Sequence, residues 1–494
     1  MNRGRSFLIL LVVALGLGGY IFFVESKRDL TDPATLKAKL FTVDSAKVEA
    51  LEVRAADGST TSLKKEGETW RIVAPEALDA DEAQVSTLVN TLESAEVQRV
   101  IDPNPTSVKD FGLDPARYSI AFRAAGETAM KRLDLGNKTP TGADLYARVE
   151  GDPKLLLLSG YLEDSLNRTT FDLREKTVLK FTRDAVDAIQ VHAEAAKPAD
   201  STKDTEKDAK GAKDTKGAKE TKDTKGAKPA AKTPPAAPVD FSLAKKGNDW
   251  RLTGAVDARA DYGTVEGLIG RLEQVRMKSI VAAAATPADQ KKYGFDKPQG
   301  QVTLGAGSTR ATLILGAKHD DTSVYARDLS RPLVFTVESS LLDDLRKKPD
   351  DIRVKDIFTF RSFSATSVDV ILGGQTFSFG KDKPAAEQST TTEIWKQKAP
   401  AAKDVDQTKF TDLLSTLSNL RADSFVDKAF TTPDLLTIVA KSGDAAAPVE
   451  ERVTFRKSGD VVQAIRSGEA SAAVVPAVEL EKALALAKEL TGGK

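Results

Sequence analysis

Two aromatic–guanidinium pairs, Tyr146-x-Arg148 and Tyr325-x-Arg327, are the residues whose type and spacing best suit ligand chemistry. At i, i+2 in a strand both side chains of a pair share one face. There a ring can stack on a sugar or peptide while the guanidinium forks hydrogen bonds to it. Tyr146, Arg148, Tyr325 and Arg327 are therefore the candidate ligand-facing residues. The commoner use of the same spacing is cross-strand packing with a snorkelling arginine. Catalytic sets are missing by comparison. The chain has no cysteine, which removes disulfides, thiolate metal sites and a cysteine nucleophile. His192 and His319 are the two histidines, too few for a His-based metal or triad site. No Gly-x-Ser-x-Gly elbow, Walker A loop or His-Glu-x-x-His helix occurs. Leu135-Gly136-Asn137-Lys138-Thr139 has the wrong glycine spacing for a phosphate loop, and Gly305-Ala306-Gly307-Ser308 suits a hairpin turn. Carboxylates are plentiful, but no pair stands out as an acid/base couple. No catalytic residue, metal ligand or cofactor is assigned, and the chain reads as non-enzymatic.

The elements that must carry these pairs recur. The three tryptophans, Trp70, Trp250 and Trp395, act as register marks. Fifteen residues after each begins one apolar face: Val85/Leu88/Val89/Leu92, Val265/Leu268/Ile269/Leu272 and Phe410/Leu413/Leu414/Leu417. That i, i+3, i+4, i+7 spacing predicts three amphipathic helices and hence internal repeats. The tryptophans are read as core anchors beneath those helices. Asp79-x-x-Glu82 and Asp404-x-x-Gln407 have the capping-box pattern, which expects Asp79 and Asp404 as helix caps. Asp57-Gly58 and Gly373-Gly374 mark hairpins. Further on, Phe111-Gly112-Leu113-Asp114 matches Tyr293-Gly294-Phe295-Asp296. Leu135-Gly136 matches Leu315-Gly316, and each Tyr-Ala-Arg strand follows. The third copy is degenerate, with Phe430 and Pro433-Asp434 in place of the glycine element. The expected class is α+β: three tandem, mainly antiparallel β modules, each with one main amphipathic helix and a short second helix.

The boundaries follow from that register. Module 1 spans residues 31–182, module 2 spans 183–360 and module 3 spans 361–494. A Lys/Ala/Pro-rich stretch, 195–238, cannot bury a core and is expected to be disordered. It falls where module 1 has its Asp57-Gly58 turn, so it is expected inside a hairpin of module 2 rather than between modules. Its interspersed acids favour a solvated spacer over a lipid- or polymer-binding tract. At the other end, residues 7–24 are an uninterrupted apolar run of about 27 Å as a helix, preceded by Arg3 and Arg5. This predicts a transmembrane signal anchor with residues 1–6 in the cytoplasm and the bulk in the periplasm. The alternative is a signal peptide cleaved near Ala14-x-Gly16. Lys plus Arg equals Asp plus Glu at 72 each, so no global field points to nucleic acid.

The anchor, the Trp70 and Trp250 strands, the two glycine-aspartate elements and the paired Leu-Gly and Tyr-Ala-Arg strands resemble a bacterial family, domain of unknown function 4340. The likeness is strongest over residues 40–360. It implies an envelope protein beside ABC-type transporter components of the gliding-motility auxiliary kind, and carries no catalytic residues. The expected function is a membrane-anchored, periplasm-facing accessory or scaffold protein. Its expected partners are the inner membrane, through residues 7–24, and ABC-type permease or ATPase subunits. The second reading is a glycan- or peptide-binding envelope module, and the third an envelope hydrolase without a sequence signature.

Overall fold

The computed structural model describes residues 38–195, 237–254, 256–382, 393–443 and 448–492. The expected cytoplasmic residues 1–6, the expected anchor 7–24 and most of the lysine-rich stretch lie outside them. Among the described residues no helix is long and apolar enough to cross a membrane. The chain divides into two compact units, residues 1–176 and 177–494.

The first unit begins with β1 (Val48–Arg54) and β2 (Thr60–Glu66), joined where Gly58 takes φ 88°. Such a left-handed turn favours glycine. Then come β3 (Thr69–Ala74), which carries Trp70, and β4 (Leu78–Asp79). Helix α1 (Glu82–Ser94) leads to β5 (Val97–Asp102). Next are β6 (Tyr118–Ala124), β7 (Lys131–Lys138), β8 (Asp144–Val149) and β9 (Leu155–Ser159). Helices α2 (Leu162–Leu166) and α3 (Thr170–Leu173) close the module. The nine strands form one sheet in the order β4-β3-β2-β1-β6-β7-β8-β9-β5. Every pairing in it is antiparallel.

The second unit holds two more nine-stranded sheets, between Ala188 and Glu338 and between Ala365 and Val475, each with the same strand order. The α+β, mainly antiparallel class is thus present three times over. In the second sheet, strand Ala188–Ala193 pairs with Val239–Lys246, with Ala193 opposite Val239. The lysine-rich stretch therefore connects two hydrogen-bonded neighbours, at the place of the Asp57-Gly58 turn.

Each sheet buries one face under its amphipathic helix. Val85, Leu88, Val89 and Leu92 are all buried, as are Val265, Leu268, Ile269 and Leu272, and Phe410, Leu413, Leu414 and Leu417. Full burial of such a side chain stabilises by about 1.5–3 kcal/mol, so these faces hold helix to sheet. All three tryptophans are buried, and the Trp395 ring lies 4.7 Å from that of Phe410 on its helix.

The caps differ from expectation. Asp81 and Asp406, not Asp79 and Asp404, cap the first and third helices. Asp79 and Asp404 instead sit in two-residue strands and pair with Arg71 at 3.2 Å and Lys396 at 3.3 Å. The short strand uses up two residues before the helix can start. Glu82 and Gln407 consequently become the first helical residues. Their side chains turn back to accept from Trp70 N at 2.6 Å and Trp395 N at 2.8 Å. Asp81→Ala should cost about 1 kcal/mol, the usual value of an N-cap. Asp79→Ala should cost less, since exposed ion pairs are weak. Urea denaturation of both variants checks the order, and the reverse order refutes the assignment.

A buried polar network joins the two sheets of the second unit. Glu451, 2% exposed, accepts from Thr359 N at 2.9 Å and Phe360 N at 2.9 Å and pairs with Arg466. Arg466 also donates to Ile357 O at 2.9 Å. Arg259 reaches across to Glu469 at 2.6 Å. Arg353, 4% exposed, donates to Ser471 Oγ at 2.5 Å and lies 3.6 Å from the centre of the Phe425 ring. Arg259 and Arg353 come from module 2, while Glu469, Ser471 and Phe425 come from module 3. These contacts explain why three sheets make two compact units.

Candidate functional site

The sheet face opposite the helix carries both Tyr-x-Arg pairs, because Leu145 and Ala147 alternate with them and are buried in the helix-side core. Across this outer face runs the segment around Phe111-Gly112, and in the second sheet that around Tyr293-Gly294. The two matched glycine motifs are the crossing point. A Cβ on Gly136 would stand 2.1 Å from Phe111 O, and one on Gly316 would stand 2.1 Å from Tyr293 O. Gly112 and Gly294 take φ 71° and 74°, so the crossing segment also needs glycine.

The tyrosines fasten that crossing. Tyr146 lies 4.7 Å from the Phe111 ring, and Tyr325 lies 4.7 Å from the Tyr293 ring. In the third sheet Gln463 occupies the tyrosine position and accepts from Phe430 N at 2.7 Å. Arg456, at the position of Gly136, donates to Phe430 O at 2.6 Å. Where the third copy loses its glycine, a side chain holds the carbonyl that the bare backbone admits elsewhere. Tyr146 and Tyr325 each thus pack one side of the ring against the crossing segment.

The arginines go elsewhere. Strand register aligns Arg54, Ser119, Asp134 and Arg148 in one row across β1, β6, β7 and β8. The same row is His192, Gln301, Ile314 and Arg327 in the second sheet. In the third it is Ile371, Thr437, Thr454 and Ile465. In the first sheet three members of the row (Arg54, Asp134 and Arg148) line an open cleft of about 640 Å³. Arg132 joins them, donating to Asp134 Oδ1 at 3.1 Å and to Ser119 Oγ at 2.9 Å. Arg148 Nη2 stands 3.6 Å from Asp134 Oδ2, too long for a tight pair. Arg54 donates to Ala116 O at 2.5 Å, its Nε is buried without a partner, and no carboxylate pairs with it among the described residues. In the second sheet Ile314 packs with Tyr293 and Phe295, and Arg327 lies 5.9 Å from the centre of the Phe295 ring. Of the four candidate residues only Arg148 borders the cleft. Arg54 and Asp134 join it from strands distant in sequence.

Neither histidine builds a catalytic set with its neighbours. His319 Nδ1 is 3.0 Å from Asp320 Oδ2 and 3.1 Å from Ser323 Oγ. Both partners share one ring nitrogen, so the imidazole cannot relay a proton between them. The Ser323 hydroxyl, the Thr322 amide and His319 hold the Asp320 carboxyl well below the usual carboxylate range. His192 lies on a half-buried strand position, 3.6 Å from Asp240. Among the described residues no group of three or more His, Asp or Glu side chains could hold a metal ion.

The cleft row leaves no contiguous trace in the chain, because its members lie on four strands. A local signal does exist at Asp134, where a carboxylate stands at the position that is Ile314 in the matched motif of the second copy. No curated protein and no solved structure matches the chain. A family model matches residues 70–233 and again 250–437, each match starting on one of the register tryptophans. The chain therefore belongs to the family described as domain of unknown function DUF4340.

Proposed function

We propose that this is a membrane-anchored, periplasm-facing, non-enzymatic accessory or scaffold protein that works with an ABC-type transport system. The observation that carries the reading is one sheet topology used three times with a different outer face each time. Repetition with divergent faces supplies several attachment surfaces from one chain, and folds of this kind carry function in such surfaces rather than in the scaffold. The apolar run 7–24 and its basic flank support the anchor. Membrane fractionation followed by protease treatment of spheroplasts tests the topology. The chain is expected in the membrane fraction with its C-terminal region degraded, and a protected C-terminal region refutes the orientation. Co-purification in mild detergent should bring down a permease or ATPase subunit. Their absence removes the transporter link.

A second reading is favoured by one observation, the charged cleft of the first sheet, where three arginines stand among four carboxylates. In that reading the protein is a ligand-binding envelope module, with the cleft as its site.

A further inference from the structure

We infer that Arg54 and Arg148, in the cross-strand row they share with Asp134, form a binding site for the carboxylate of a short peptide. This rests on the ligand-binding reading of the cleft. Three observations lead to it.

The first is the state of the guanidiniums. Arg54 keeps donor capacity unspent beside the cleft, and Arg148 is held only loosely by Asp134. A planar guanidinium fork matches a carboxylate in bidentate geometry, so an incoming carboxylate gains two directed hydrogen bonds from Arg148 and a further one from Arg54, whose Nη2 already holds Ala116 O. Asp134 remains engaged by Arg132, which keeps the row from collapsing onto itself.

The second is the divergence among the three sheets. At the same register positions the second sheet places Ile314 in an apolar cluster, and the third places Ile371 and Ile465. The third sheet, with Ile371, Thr437, Thr454 and Ile465 in the row, therefore holds the same topology with no charge there. The charged row of the first sheet is not demanded by the fold, and it coincides with a cleft open to solvent.

The third selects peptide over glycan. Among the described residues no aromatic side chain lines the cleft, and the nearby Tyr146 ring is occupied by Phe111. A sugar ring would therefore lack a stacking platform. Of the four carboxylates that line the cleft, Asp134 is held by Arg132 and Asp152 by Lys154, while Asp114 and Glu150 can accept from backbone N–H groups and Leu113 and Pro115 offer an apolar wall. That mixture suits an extended peptide with one carboxylate at the arginines.

The test titrates full-length protein in detergent micelles with three fluorescent probes. One is a tetrapeptide with a glutamate side chain and a free C-terminus, one its Gln and C-terminal amide analogue, and one a glucuronate disaccharide. The acid peptide should bind and the amide analogue should not. Arg54→Gln and Arg148→Gln should each weaken binding about tenfold, the value of one charge-assisted hydrogen bond. Arg327→Gln should leave it unchanged. Since Arg54 also braces Ala116, Arg148→Gln keeps the test decisive if Arg54→Gln misfolds, as judged by circular dichroism. Equal binding of acid and amide, or wild-type affinity in folded Arg148→Gln, overturns the inference. Binding of the disaccharide alone overturns the ligand class and leaves the ligand-binding reading standing. Binding of no probe overturns the inference by itself, and that reading then falls if sacculus fragments also fail to bind.

Discussion

Glu451→Gln should destabilise the unit 177–494 by about 3–5 kcal/mol, the usual effect of removing one partner from a buried, hydrogen-bonded ion pair. The loss has two parts. Arg466 keeps its charge in a buried site, and the Thr359 and Phe360 amides lose a charged acceptor. The pH dependence gives a second reading of the same group. Burial pushes the Glu451 carboxyl up, but the Thr359 amide bond and the Arg466 guanidinium outweigh it, and the net shift is downward. A carboxylate with a depressed folded pKa contributes its full stabilisation above its unfolded value of about 4.3, and loses it as pH falls through the folded value. The wild type should therefore lose stability on acidification below about pH 4 more steeply than Glu451→Gln. Urea midpoints between pH 7 and pH 3 check both statements. Parallel curves for the two proteins would remove Glu451 from the account of why modules 2 and 3 form one unit.

Gly316→Ala should cost about 3 kcal/mol, at the upper end of overpacking effects, because the new Cβ meets a backbone carbonyl rather than a flexible side chain. The ideal Cβ lies 2.1 Å from Tyr293 O, a separation no packed carbon and oxygen adopt. Either the strand or the crossing segment must move. The segment is the softer of the two, so it should lift from the outer face and part the Tyr293 and Tyr325 rings. Tyr293 O also accepts from Ala317 N at 2.7 Å, and that bond should break with it. Gly307→Ala is the control. Its Cβ would meet nothing within 4 Å, while its φ of 57° is left-handed. It should therefore cost only about 1 kcal/mol, from backbone strain. Hydrogen exchange separates the two mechanisms, since only Gly316→Ala should deprotect the Ala317 amide. Retained protection there would mean that the crossing geometry is not what requires glycine.

Much of the fold was legible in the chain. The tryptophan register, the helix faces and the Asp57-Gly58 hairpin all depend on residues close in sequence, where side-chain periodicity directly reports secondary structure. The capping boxes misled because a correct residue type stood two positions from the true cap. Asp79 and Asp81 satisfy the same local pattern, and only the pairing of Leu78–Asp79 with Arg71 and Ile72 decides between them. The Tyr-x-Arg motif was incomplete in a different way. Periodicity places both side chains on one face, but it cannot say that a segment more than thirty residues earlier will pack on the tyrosine, or that Arg148 and not Arg327 will border a cleft.

Sequence alone determined that one module is used three times, that its helices are amphipathic, and that two copies share a glycine-bearing crossing element. Those properties follow from local spacing and from comparing the chain with itself. Tertiary structure alone decided which residues meet across strands that are neighbours in the sheet but distant in the chain. The antiparallel pairing of β1 with β6 sets Arg54 opposite Ser119, and through it in line with Asp134 and Arg148. A shift of one residue in that pairing would turn Arg54 toward the core, since side chains alternate between faces with period two. The burial of Leu51 and Val53 forbids the shift, and that long-range constraint is what assembles the cleft.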